Sequence, residues 1–176
     1  MEPSLVEFID ALAFAADKHR DQRRKDADAS PYINHPIALA RVLSTEGGVT
    51  ERLPLLAALL HDTIEDTETT EAELVARFGA EVAAVVMEVT DDTTLPKARR
   101  KELQVEHAPH ISRDAKLVKL ADKICNLRDV ASNPPAQWSL ERRREYFDWG
   151  ARVIAGVRGV HPRLEAVFDS VYLLRP

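Results

Sequence analysis

Between Leu55 and Thr67 the chain reads Leu55-Leu56-Ala57-Ala58-Leu59-Leu60-His61-Asp62-Thr63-Ile64-Glu65-Asp66-Thr67, an apolar run that ends in one imidazole and three carboxylates. A helix that is apolar all round is buried along its length, and this one would deliver those polar groups at its C-terminal end. Burial is costly for such groups unless they are paired or bind a cation. His61 and Asp62 stand about 100° apart around a helix, within reach of one ion. Glu65 and Asp66 fall near the same side one turn later. A metal site with carboxylates beside it is one reading of these residues; a capped helix followed by an acidic, solvated loop is the other.

Two further segments bear on the choice. In Asp114 to Val130, the apolar positions Leu117, Val118, Leu120, Ala121, Ile124 and Leu127 mark a helix that carries Asp122 and Asn126 one turn apart, projecting from nearly the same side. Alone, Asp122 reads equally as half of an ion pair with Lys119 or Lys123. His35 stands between Asn34 and Pro36, where it could simply cap the following helix. Together, His35, His61, Asp62 and Asp122 supply two imidazoles and two carboxylates from three helical regions. Mixed nitrogen and oxygen donors with open positions suit Mn²⁺, Fe²⁺, Zn²⁺ or Mg²⁺, and the carboxylate share favours a harder ion over a structural zinc. A water held there would serve as a hydrolytic nucleophile.

The elements that must position these groups are all helical. Ser4 and Glu7 make a capping box for a helix from Leu5 to about Arg20, and a basic cluster (Lys18, Arg20, Arg23, Arg24, Lys25) lies at or past its end. A polar connection through Pro31 leads into an apolar helical pattern from Ile37 to Leu43, stopped by Gly47-Gly48. Pro54 opens the helix that runs to His61. Thr70 and Glu73 form a second capping box for a short helix ending at Gly79, followed by a helix over residues 81–89. A charged helix runs from Lys97 to His107, and two helices, Ser139 to Val157 and Pro162 to Leu174, follow the Asp114 to Val130 element. The expected architecture is a compact all-α, multi-helix domain of roughly eight or more helices spanning residues 1–176, rather than a strand-bearing nucleotide fold.

At 176 residues and 19.7 kDa the chain fits one domain with a sizeable core. Its 24 basic and 29 acidic side chains give a formal charge of −5, which argues against a nucleic-acid polymer as partner without excluding a nucleotide. A single cysteine, Cys125, excludes a disulfide scaffold; with no signal peptide or membrane-spanning run in view, a cytoplasmic protein with no membrane partner is expected.

The set His35, His61-Asp62 and Asp122 resembles the metal-binding pattern of the HD superfamily of phosphohydrolases. Read together, Arg23-Arg24-Lys25, Pro31-Tyr32-Ile33-Asn34-His35-Pro36, His61-Asp62-Thr63-Ile64-Glu65-Asp66-Thr67 and Leu120-Ala121-Asp122-Lys123-Ile124-Cys125-Asn126-Leu127 narrow the likeness. They are similar to the hydrolase domain of the Rel/Spo proteins that degrade (p)ppGpp, above all to the small stand-alone metazoan SpoT homologues. The similarity extends through Val89-Thr90-Asp91-Asp92 and Glu145-Tyr146-Phe147, with no synthetase or regulatory domain expected after Pro176.

This resemblance implies an HD-domain fold and cleavage of the ribose 3′-pyrophosphate of a guanosine nucleotide, giving GDP or GTP plus pyrophosphate, with one ion, commonly Mn²⁺. It makes Glu65 and Asp66 the catalytic pair, Glu65 orienting water and Asp66 assisting, although a carboxylate network around His61 is the other reading of the two. Asn126 would hydrogen-bond near the attacking water or the ribose, unless it is a helix-surface amide. Arg24 and Lys25 would recognise the guanine ring and polyphosphate, while Arg20 and Arg23 read as readily as a solvated helix face. Tyr32 would pack beside the base or shape the entrance; Lys97 and Tyr146 enter as substrate contacts by resemblance. Trp138, Phe147 and Trp149 are assigned to the late-helix core or its rim, and Cys125 has no base that would make it a nucleophile. The competing functions are an HD phosphatase for another phosphorylated nucleotide and a noncatalytic nucleotide sensor.

Overall fold

The computed structural model describes residues 2–176, which form ten α-helices and one π-helical turn; among them there is no β-strand, only an isolated antiparallel bridge between Arg23 and Pro31. The helices are α1 (Leu5–Lys18), α2 (Asn34–Arg41), α3 (Arg52–Leu60), α4 (Thr63–Asp66), α5 (Glu71–Phe78), α6 (Ala80–Val89), α7 (Lys97–His107), α8 (Arg113–Ser132), α9 (Leu140–Ala155) and α10 (Pro162–Tyr172). Two of them organise the rest. All seven residues from Pro54 to Leu60 are buried, because α3 is enclosed by α1, α2, α6 and α8. Truncating one of its leucines to Ala would cost about 2–5 kcal/mol, as large-to-small changes in close-packed cores do. The 20-residue α8 lies across α3 and buries Leu117, Leu120, Ile124 and Leu127 against it and its neighbours.

Local chemistry explains most of the element ends. The Ser4 hydroxyl accepts from the Glu7 backbone N–H (3.1 Å) while the Glu7 carboxylate accepts from the Ser4 N–H (2.9 Å), so the first capping box is complete. The box expected at Thr70 is half made: Thr70 accepts from the Glu73 N–H, but the Glu73 carboxylate takes Lys18 Nζ at 3.2 Å, an ion pair from 55 residues away. The helix predicted to begin at Ile37 starts three residues earlier, at Asn34, and beyond Arg41 it passes into the π-helical turn Val42–Gly47. Gly48, with φ 74°, ends that turn in the left-handed region, where glycine carries no Cβ penalty. A Cβ at Gly47 would meet the Leu164 side chain at 3.0 Å, so α10 seats directly on the turn.

Helix α7 differs from the others. None of its residues is buried, and it packs against α9, with the Trp149 indole N–H donating to the Lys101 carbonyl at 3.0 Å. Its bounds match the expected Lys97 to His107. No helix among the described residues is long and apolar enough to cross a membrane.

Candidate active site

Helix α3 stops at Leu60 and hands its polar terminus to two residues in succession. His61 caps α3, and Asp62 caps the one-turn α4 with φ −100° and ψ 0°, the sparsely populated bridge region. Both side chains therefore enter the protein at the point where the chain turns. His61 Nδ1–H donates to the Ala58 carbonyl (2.9 Å), since a carbonyl can only accept. That bond fixes the tautomer and leaves the Nε2 lone pair facing inward, where it is buried, makes no hydrogen bond and stands 2.8 Å from Asp62 Oδ2.

From the start of α2, His35 turns its Nε2 toward the same point, 4.0 Å from Asp62 Oδ2 and 3.2 Å from Asp122 Oδ1. The His35, His61 and Asp62 donor atoms lie within 4.8 Å of one another. Such a cluster is able to hold a divalent cation, and the uncommitted His61 nitrogen is what a ligand requires. Asp122 stands outside that trio, against His35. Its carboxylate also accepts from Lys123 Nζ (2.8 Å) and Asn126 Nδ2 (2.5 Å), so the ion pair that the sequence left open is made alongside the histidine contact.

The electrostatics keep both carboxylates ionised and His35 neutral, whereas at His61 burial is outweighed by Asp62 and Asp122, which raise the imidazole above its ordinary value, so that a cation bound there would displace a proton from that ring. Burial alone would raise the Asp62 carboxyl, but the imidazoles of His61 and His35 outweigh it and hold the group well below the usual carboxylate range. Asp122 is likewise held low, burial being outweighed by Lys123 and His35. Burial depresses His35 below an ordinary imidazole, favouring the neutral ring. The Tyr32 phenol, pushed far up by burial and by Asp62, stays protonated and donates to Asp62 Oδ2.

The expectation that Glu65 and Asp66 both fall near the side of His61 and Asp62 holds for Glu65 and is corrected for Asp66. They are successive residues of a single turn, and the step of about 100° sends them apart. Glu65 lines the inner pocket of about 180 Å³ with His35, His61, Asp62 and Asp122, whereas Asp66 faces a larger outer cleft of about 480 Å³. Glu65 Oε2 accepts from the Asp91 backbone N–H (3.0 Å), and Arg100 Nη1 lies 3.4 Å from its Oε1. Burial first, then the carboxylates of Asp91, Asp62 and Asp66, push the Glu65 carboxyl up to about 7 despite the hydrogen bond from Asp91. Asp66 accepts from Gln22 Nε2 (3.0 Å), and the Gln22 carbonyl is in turn held by His19 Nδ1–H (2.6 Å).

The outer cleft gathers Arg23, Arg24, Lys25, Tyr32, Lys97 and Tyr146, together with Asn126 on its floor. Arg24 donates to Asp129 (2.6 Å) and to Asn126 Oδ1 (3.3 Å) and lies over the Tyr32 ring at 5.7 Å. Asn126 is thus a link, accepting from Arg24 and donating to Asp122, rather than a surface amide. Lys97, although exposed, is held below an ordinary lysine by partial desolvation in the cleft and then by the neighbouring cations Arg142, Lys25 and Arg100. Tyr146 is pushed up to about 12, burial leading. Phe147 is core, as assigned; Trp138 and Trp149 add cleft walls to their packing role, Arg142 resting on the Trp138 ring at 4.5 Å. Cys125 is buried, and burial raises its thiol, which leaves it inert.

Several lining residues escaped the sequence reading. Lys101 was findable, one turn from Lys97 on the same helix face. Gln22, Gln104 and Asp129 belong to no periodic or motif signal, because their roles arise from partners 13 to 105 positions away.

Comparison with known proteins agrees with this geometry. Residues 11–148 match the HD domain family. The chain is 54% identical over 166 residues to the guanosine-3′,5′-bis(diphosphate) 3′-pyrophosphohydrolase MESH1 of Xenopus tropicalis, covering 94% of this chain and 93% of that one. To the Homo sapiens protein of the same name it is 53% identical over 175 residues, with 99% and 98% covered. A solved structure, described as a metazoan orthologue of SpoT that hydrolyses ppGpp and plays a role in starvation responses, superposes with a TM-score of 0.94 at 45% identity, covering 99% of this chain and 98% of the other.

Proposed function

The chain belongs to the HD domain family, in its small stand-alone MESH1-like branch, and from that premise we infer that it hydrolyses guanosine 3′,5′-bis(diphosphate) at the 3′-pyrophosphate. The products are GDP and pyrophosphate, with GTP formed from the pentaphosphate. The observation that carries this reading is the opening of a cation-lined cleft onto the His35, His61 and Asp62 cluster. Cleft and pocket share Arg24, Tyr32, Asn126 and Tyr146, so a polyphosphate lying in one reaches the other. We place the whole chain in one hydrolase domain and in the cytosol, with a small guanosine nucleotide as partner.

Four residues, His35, His61, Asp62 and Asp122, would hold the cation, and we assign Mn²⁺ to them because mixed imidazole and carboxylate donors suit it. Bound there, the ion supplies Lewis acidity at a phosphoryl oxygen and a water of lowered pKa. The rest is the work of side chains. Tyr32 aims Asp62 by donating to it, and the Ala58 carbonyl holds His61 in one tautomer. Glu65, raised to about 7, accepts a proton from the attacking water near neutral pH, where a general base is most effective. As the new phosphorus–oxygen bond forms, the bond to the ribose 3′ oxygen breaks and that oxygen takes up a proton. Asp66, on the cleft side, assists at this end of the reaction. Asn126 orients Asp122 and passes the position of Arg24 to it. Arg24, Lys25 and Lys97 neutralise phosphate charge, while Tyr32 and Tyr146 flank the nucleoside.

The test is a Mn²⁺-replete hydrolysis assay on ppGpp, pppGpp and the adenine counterparts, with the products identified. Pyrophosphate release confined to the guanine substrates supports the reading. Orthophosphate release, or equal use of adenine, points instead to an HD phosphatase of another nucleotide, and tight binding without turnover to a sensor.

A further inference from the structure

Helix α7 buries none of its residues, yet four of its side chains converge on the site. Lys97, Arg100, Lys101 and Gln104 follow the spacing i, i+3, i+4, i+7, which places them on one helix face, and all four line the outer cleft. The first and third add cationic groups to that cleft, Lys101 Nζ resting over the Tyr146 and Trp149 rings at 5.6 and 4.6 Å. The other two reach the carboxylates behind it. Gln104 Nε2 donates to Asp91 Oδ2 at 2.7 Å, the Asp91 backbone N–H donates to Glu65 Oε2 at 3.0 Å, and Arg100 Nη1 stands 3.4 Å from Glu65 Oε1. Of the α7 side chains, Gln104 alone lines the inner pocket as well.

We propose that Gln104 is a positioning residue for the hydrolytic step, fixing the orientation of Glu65 through Asp91. This rests on Glu65 acting as the water-orienting base. Asp91 sits in the connection between α6 and α7, where its backbone N–H donates to Glu65 while its side chain accepts from Gln104, so one residue carries both bonds. Gln104 provides the second from two turns into α7. The helix that carries Lys97 and Lys101 into the cleft therefore also sets the base.

The decisive experiment is a double-mutant cycle between position 104 and position 65, read by single-turnover cleavage of ppGpp in the Mn²⁺-loaded full-length protein. Gln104→Met keeps length and bulk but removes the donor. Gln104→Glu keeps size and polarity but sets a carboxylate against Asp91, and it serves where the Met variant folds poorly. Each should slow single-turnover cleavage about tenfold, less than the roughly hundredfold that a misplacement of about 1 Å costs, with KM and Mn²⁺ affinity close to wild type. In the Glu65→Gln background, either change should cost less than about twofold more, because the group it positions is gone. Losses that multiply in the double variant, or a raised KM at unchanged turnover, overturn the assignment of Gln104 while leaving Glu65 in place. Wild-type cleavage by Glu65→Gln alone overturns the role of Glu65 and the proposal with it.

Discussion

The inner pocket takes His35, His61, Asp62, Glu65 and Asp122 from α2, the α3–α4 segment and α8, whereas the outer cleft takes its cationic groups from the α1–α2 connection and α7. In the pocket His35, His61, Asp62 and Asp122 are held at helix ends or on a helix face packed into the core, and His35 and His61 are themselves buried. In the cleft Lys25 and Lys97 are exposed, and the helix that carries Lys97 buries nothing. The difference teaches how the proposed roles divide: the candidate cation site is set by core packing, and the proposed substrate contacts are cationic side chains on peripheral elements. Arg24, Tyr32 and Asn126 belong to both, and they are the joints between the two regimes.

Changes in the pocket should separate from changes in the cleft, and the largest effect is expected from its ligand residues. His61→Ala or Asp122→Ala should reduce ppGpp hydrolysis by more than about a hundredfold, beyond the 10–100-fold typical of groups behind a ligand. Both should keep the helical signal in far-ultraviolet circular dichroism. They should also lose the thermal stabilisation that Mn²⁺ gives wild type, about 2.7 kcal/mol at a hundredfold excess over Kd. Undiminished stabilisation by Mn²⁺ in a folded Asp122→Ala protein would remove Asp122 from the ligand set.

Glu65→Gln sharpens the contrast within the pocket. Direct titration should give near-wild-type affinity for Mn²⁺ and for a nonhydrolysable nucleotide, while single-turnover cleavage falls by at least about tenfold and up to a hundredfold or more. In the cleft the expected signature is reversed. Arg24→Ala should raise KM about tenfold, equivalent to about 1.4 kcal/mol, with Mn²⁺ affinity nearly unchanged. Because Arg24 also supports Asn126 at 3.3 Å, an equal loss of Mn²⁺ affinity would mean that the joint belongs to the pocket instead.

The smallest effect is a pH dependence of stability in the cation-free protein. Glu65 is raised from an ordinary 4.5 to about 7, burial being the main cause, so the native state keeps a proton that the unfolded chain has released. Its stabilising share is complete below pH 4.5 and is lost as the pH climbs through about 7. Melting temperatures compared at about pH 5 and about pH 8 should therefore fall less in Glu65→Gln than in wild type. An identical fall in both proteins would show that Glu65 titrates alike in the folded and unfolded chains.

Much of this was legible in the sequence because the signals were local. The bounds of α7, the Ser4 cap and the Asp122 to Asn126 turn follow from spacing and side-chain type alone. The π-helical turn at Val42–Gly47 was not legible: its register depends on α8 and α10, through the Arg128 pair to Glu46 (2.7 and 2.8 Å) and the seat of Leu164 on Gly47. The half-made cap at Thr70 failed for a similar reason, since Lys18 competes for Glu73 across the fold. In the site, His35, His61, Asp62 and Asp122 stood out by type and the structure brings them to one pocket, but the divergence of Glu65 from Asp66 was not legible. Helical periodicity describes a long helix well, and α4 is a single turn bracketed by a nonhelical Asp62 and an extended Thr67.

The enclosure of α3 also bears on how inherited variation would present. Seven consecutive positions without a solvent face tolerate few polar replacements, and such changes act by lowering the amount of folded protein rather than its chemistry. A substitution at Leu56 or Leu59 would leave every group in the pocket intact yet send the chain to chaperones and proteases. An organism carrying it would resemble one with a dead enzyme. Restoring abundance, by a lower growth temperature or a stabilising second-site change elsewhere, would bring activity back, which no such treatment could do for a lost His61.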